Sequence, residues 1–305
     1  MSILSRPAAA ASVARLLQAG AAVAAAGLER RARRRLPEYD VPVHSLEVPT
    51  SIGPVRVGVY RPRDVDESPA VHVNFHGGGY VLAITAIDDP ICRTLAALTG
   101  SVVLNVDYAV APRHRFPAPP HQAYEVVRWV ADHGHEHGWD SSRLTVGGQS
   151  AGGGLAAAVA RLAFEDDGPA LALQVLHYPP LDLTVPVSQK RSLVARPVLR
   201  PWMGEVYDTA YAPDPATRAD RLVSPAGAAD TADLTGIAPA VVIAAEYDVL
   251  RDEARRYGDR LRGFGALVEY REVPGADHGY DVSDDLRARK TYAFIADHLR
   301  VATAR

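Results

Sequence analysis

The run Gly148-Gln149-Ser150-Ala151-Gly152 sets a serine between small residues. An apolar run, Leu144–Gly147, precedes it, and a small apolar helical stretch, Ala151–Phe164, follows. This is the Gly-x-Ser-x-Gly pattern of a sharp strand-turn-helix that exposes a hydroxyl at a strand end. The glycines let backbones approach closely there, and the helix start turns free N–H groups toward Ser150. The pattern also arises by chance, so its meaning depends on partners elsewhere in the chain. A serine needs a base to become a nucleophile, and the base needs an acid to fix its tautomer. In this arrangement the expected chain order is Ser, then Asp or Glu, then His. The apolar run Ala240–Ala245 leads into Asp248, and Leu267–Val273 leads into His278. Asp248 is therefore the candidate acid and His278 the candidate base. Asp252 is the rival acid, although with Glu253 it reads better as a cap on the next helix.

Acyl transfer also needs donors for the negative charge that develops on the carbonyl oxygen. His76-Gly77-Gly78-Gly79-Tyr80 follows the apolar run Val71–Phe75, and its glycines permit close backbone approach. The N–H groups of Gly78, Gly79 and Ala151 are the candidate donors. His76 reads as a residue that holds this loop and not as the base. Tyr80, Trp202, Met203, Tyr207 and Tyr211 read either as the lining of an apolar substrate pocket or as packing within a cap. His133, His135 and His137 alternate with Gly134 and Glu136 in a loop-like run without a further ligand cluster, so no metal is expected.

These residues must be positioned by a scaffold. Val43–Val48 and Val55–Tyr60 flank Gly53-Pro54 as a hairpin. Val71–Phe75, Ser101–Val106, Leu144–Gly147, Leu171–His177, Ala240–Ala245 and Leu267–Val273 read as further strands, with helices between them, including Tyr124–His133. The alternation predicts an α/β fold, a mostly parallel sheet with helices on both faces and its site beyond the strand ends. Residues 1–305 read as one domain. The first 40 residues and 184–234 break the rhythm, and the latter insertion reads as a lid.

The net charge of -3 gives no field for nucleic acid. One cysteine, Cys92, excludes an intrachain disulfide framework; it fits a cytoplasmic location and also a secreted enzyme without bridges. The charge-free run Leu16–Leu28 is too short to span a bilayer. With the arginines at 30, 31 and 33–35 it reads as a helix packed on the protein, with peripheral membrane contact as the alternative.

The motifs together resemble the hormone-sensitive-lipase-like (bacterial family IV) carboxylesterases of the α/β-hydrolase fold. The resemblance runs from about Val55 to the C-terminus. It rests on His76–Gly79, Asp107-Tyr108-Ala109-Val110-Ala111-Pro112, Phe116-Pro117-Ala118-Pro119, Gly148–Gly153, Ser224-Pro225, Asp248–Glu253 and His278-Gly279. It implies an eight-stranded sheet, a Ser-Asp-His triad, no cofactor, and a cap from the N-terminal helices and the segment after Asp182. It further implies a small-molecule ester of short to medium acyl length as substrate. Amide, lactone or carbamate cleavage by the same triad, or a non-catalytic binder on this fold, are the alternatives; His278 argues for turnover. Oligomeric state is left open, a homodimer included. The family pattern has Asp where this chain has Gln149, and Arg and Glu where it has Ala109 and Arg113. One expectation is that positions 149 and 109 are neighbours behind the nucleophile, where an ion pair has become a neutral contact. Gln149→Asp would then bury an unpaired charge.

Overall fold

The computed structural model describes residues 2–63 and 67–304. Met1, 64–66 and Arg305, all within the predicted domain span, lie outside the described residues. Eight strands form one sheet: β1 (Val43–Val48), β2 (Val55–Tyr60), β3 (Ala70–Phe75), β4 (Val102–Val106), β5 (Asp140–Gln149), β6 (Leu173–His177), β7 (Ala240–Ala245) and β8 (Leu267–Val273). Their order is β1-β2-β4-β3-β5-β6-β7-β8. β1 and β2 form the expected hairpin, β2 pairs antiparallel with β4, and all other pairs are parallel. The sheet is the mostly parallel eight-stranded one that the resemblance implies.

The seven α-helices among the described residues are α1 (Pro7–Arg34), α2 (Asp89–Thr99), α3 (Ala118–His133), α4 (Ala151–Glu165), α5 (Pro201–Tyr211), α6 (Arg251–Gly263) and α7 (Asp285–Ala302). α3 begins six residues before the predicted Tyr124. Pro119 and Pro120 fall in its first turn, where a missing N–H costs nothing because that group has no partner inside the helix. Alternation along the strands divides the core between two faces. On β7, Ala240, Val242 and Ala244 pack with residues of α3, α4 and α6, such as Val126, Leu155 and Tyr257. Val241 and Ile243 pack on the other face with Ile91 and Leu95 of α2 and Tyr292 and Ile295 of α7. Both faces of β7 are therefore sealed, which explains its unbroken apolar run.

α1 has a mean hydropathy of 1.4 over its most apolar 18 residues, and by length and composition it could cross a membrane. The predicted limit, set on Leu16–Leu28 alone, understated this because the alanines before Arg15 belong to the same helix. In the fold its first half is docked. Ala10, Ala11 and Ala14 are buried, and the helix runs against α5. The Gln18 amide donates to the carbonyls of Val81 and Ala111 at 2.8 and 2.9 Å.

Candidate active site

β5 ends at Gln149 and α4 begins at Ala151, so Ser150 alone makes the turn. Its φ of 53° and ψ of -123° are strained for a residue with a side chain. The turn holds because its surroundings are tight: a Cβ at Gly152 would overlap the carbonyl of Phe75 at the end of β3. Strain and close packing together fix the serine at the carboxyl edge of the sheet.

The Ser150 hydroxyl lies 2.9 Å from His278 Nε2, and His278 Nδ1 lies 2.8 Å from Asp248 Oδ2. Asp248 follows β7 and His278 follows β8, so three strand ends converge. The other Asp248 oxygen accepts the Leu250 N–H at 3.0 Å, and Asp248 is buried. Burial by itself would lower the His278 pKa. The Asp248 charge and hydrogen bond outweigh it, aided by Asp277 and Asp281, and hold the pKa above its ordinary value. Nδ1 faces a carboxylate and must carry the proton, which leaves Nε2 free to accept from Ser150.

Asp252 stands apart. It pairs with the Arg251 guanidinium at 2.8 Å and is half exposed. The expected cap by Asp252 and Glu253 is not formed: α6 begins at Arg251 with Leu250 at its N-cap, so both acids lie inside the first turn, past the capping position. Glu253 is buried instead against Lys190 at 2.5 Å and the Leu181 N–H at 2.8 Å.

Gly78 and Gly79 have φ of +126° and +62°, and the loop they form shares a cavity with Ser150 and His278. Among the described residues the N–H groups of Gly78, Gly79 and Ala151 make no backbone hydrogen bond. His76 is fully buried, stacks on Tyr108 with ring centroids 4.2 Å apart, and donates from Nδ1 to Gly77 O at 2.6 Å. Burial pushes its pKa down, so it braces the loop as a neutral ring. His133 and His137 stack on Trp129 and Trp139.

The cavity holds about 730 Å³. Tyr80, Met203 and Tyr207 line it, whereas Trp202 and Tyr211 do not. Met203, Gly204, Tyr207 and Asp208 share the face of α5 that turns inward; Trp202 points outward at 45% exposure. Tyr211 is buried against Tyr80, 4.0 Å between centroids. Most of the remaining apolar lining, such as Leu82, Ile84, Leu183, Val187 and Leu199, comes from segments without regular periodicity, so sequence patterning did not single it out.

Gln149 and Ala109 do not form the expected contact. The Gln149 amide donates to Tyr178 Oη at 2.9 Å and to Asp281 Oδ2, while the Ala109 N–H goes to Gln122 Oε1 at 2.7 Å. Position 149 points toward the histidine loop, not toward the strand end that carries Ala109.

The alpha/beta hydrolase fold family model matches residues 72–282. The carboxylesterase NlhH of Mycobacterium tuberculosis is 35% identical over 228 residues, covering 74% of this chain and 71% of its own. An ethyl acetate hydrolase of Pseudomonas putida is 33% identical over 230 residues, covering 74% and 71%. An esterase structure from Pyrobaculum calidifontis superposes with a TM-score of 0.82 at 33% identity, covering 92% of this chain and 93% of that one. By sequence and by fold, the chain belongs to the hormone-sensitive-lipase-like carboxylesterases of the α/β-hydrolase fold.

Proposed function

We propose that the protein hydrolyses carboxylic esters of short to medium acyl length through Ser150, His278 and Asp248. The observation that carries this reading is the hydrogen-bonded relay from Asp248 through His278 to Ser150, opening on a largely apolar cavity. Ser150 Oγ attacks the ester carbonyl as His278 Nε2 takes its proton, with Asp248 stabilising the imidazolium. The N–H groups of Gly78, Gly79 and Ala151 receive the oxyanion. His278 returns the proton to the leaving alcohol. It then deprotonates a water that attacks the acyl-enzyme, and the acid departs. Ethyl acetate hydrolysis by the Pseudomonas putida relative supports a short acyl group. Ser150→Ala should abolish hydrolysis of p-nitrophenyl butyrate and labelling by an organophosphate; surviving turnover would remove Ser150 from this role. A panel of amides, lactones and carbamates of matched size separates the alternative chemistries.

Residues 1–40 and 184–234 serve as the cap of this site: α1 lies along α5, and Arg31, Val187, Met203 and Tyr207 reach the cavity. The outer part of α1 supports peripheral contact with an anionic membrane. Leu16 and Val23 are 72% and 90% exposed, and exposed Arg15, Arg30, Arg31, Arg33 and Arg34 flank them. Co-sedimentation with vesicles containing phosphatidylglycerol, lost in a Leu16→Asp/Val23→Asp variant, is the expected result. Absence of binding leaves α1 as a cap helix only.

A further inference from the structure

Asp281 lies three residues after His278, in the 3-10 turn Tyr280–Val282, and is completely buried. Its carboxylate accepts hydrogen bonds from three other elements. The Gln149 amide donates to Oδ2 from the end of β5. The Tyr292 hydroxyl donates to the same oxygen at 2.7 Å from α7. The Tyr178 hydroxyl donates to Oδ1 at 2.6 Å from the loop after β6. The Asp281 carbonyl in turn accepts from Arg35, just beyond α1, at 2.6 Å. A buried carboxylate is costly unless donors surround it, and here they do. Ester cleavage by Ser150 and His278 does not itself consume this group. Yet Gln149 is the residue before the nucleophile, and Asp281 sits on the turn that follows the base.

We propose that Asp281 is a positioning residue whose carboxylate, through Gln149, holds the His278 turn in register with Ser150. This rests on the triad reading given above. It also accounts for the amide at position 149. A carboxylate there would meet the Asp281 carboxylate at contact distance, whereas an amide offers the donor that Asp281 needs. The pair is exchangeable in principle. Gln149→Glu together with Asp281→Asn keeps the same side-chain lengths and again leaves one donor facing one acceptor.

The groups that face His278 are Asp248 after β7, Asp277 and Asp281 on its own loop, and His177 and Tyr178 at the end of β6. Asp88, just before α2, faces Asp281, and burial pushes its carboxyl up to about 7. Removing the Asp281 charge makes the imidazolium less favourable, so the acid limb of the rate profile should move to lower pH.

The test compares kcat, KM, pH profile and thermal midpoint for Asp281→Asn, Gln149→Glu, the double variant and Tyr292→Phe, with Ser150→Ala as control. Asp281→Asn should lose about tenfold to a hundredfold in kcat, the size expected for a displacement of about 1 Å, with KM nearly unchanged. Its acid limb should shift down. Tyr292→Phe, which deletes one donor, should lose less in the same direction. Gln149→Glu should fall like Asp281→Asn, and the double variant should regain most of the loss. A folded Asp281→Asn with parental kcat and pH profile overturns the proposal, as does a double variant no better than the worse single one. Should Asp281→Asn fail to fold, parental kcat in both Tyr292→Phe and Gln149→Glu overturns it equally. Turnover by Ser150→Ala would instead remove the triad reading; an inert Ser150→Ala beside a parental Asp281→Asn removes only the positioning role.

Discussion

Gly79→Ala probes the candidate oxyanion loop and the cap in one substitution. Gly79 has a φ of +62°, and a Cβ there would overlap the ring of Tyr207 on α5. Left-handed backbone costs a residue with a Cβ about 1–2 kcal/mol. Forcing a methyl into an occupied site costs about 1–3 kcal/mol more. If the loop stays in place, the variant should be about 2–5 kcal/mol less stable. If the loop yields, the Gly79 N–H leaves the oxyanion position, and losing such a donor costs about 10²–10³ in kcat. Tyr207→Ala removes the steric part alone. Gly79→Ala placed in a Tyr207→Ala background should therefore cost only the backbone share, about 1–2 kcal/mol. Thermal unfolding and p-nitrophenyl butyrate kinetics on the four proteins of this cycle measure both quantities. Equal costs of Gly79→Ala in the two backgrounds would refute the contact. Parental stability and kcat in the single variant would refute the whole reasoning.

Further outcomes are expected at other positions. Asp248→Asn should leave a folded protein with kcat lowered about 10³–10⁴-fold, because Nδ1 no longer faces a carboxylate and the tautomer is lost; activity within about tenfold of the parent would point to another acid. Because the His278 pKa is raised, the rate should fall as pH drops through a value above the usual 6.5, and a pH profile of kcat/KM reads this directly. The same shift means that His278 protonation stabilises the fold fully below pH 6.5, and that this contribution is lost as pH rises through the raised pKa. Gln18→Ala should strand the carbonyls of Val81 and Ala111, cost about 1–3 kcal/mol and speed proteolytic release of α1, as limited digestion would record. Met203→Trp should fill cavity space and lower kcat/KM for octanoyl esters at least about tenfold relative to acetyl esters, since each methylene is worth about 1–3 kcal/mol in an apolar pocket; an unchanged ratio would place the acyl chain elsewhere.

The sequence by itself determined the strands, the turn at Ser150 and the order in which Ser150, Asp248 and His278 follow strand ends. Those features are local: a buried parallel strand reads as an unbroken apolar run, and a sharp turn requires small residues beside the nucleophile. Tertiary structure decided which polar groups meet. Asp281 carries no motif, and its link to Gln149 crosses 132 residues of chain. Gln18 reaches Ala111 across 93 residues, so its role as a tether for α1 had no local signal. Trp202 and Met203 are adjacent in sequence, and only the docking of α5 turned one outward and the other into the cavity. Periodicity places a residue on a face of its own element; what lies opposite that face depends on long-range packing.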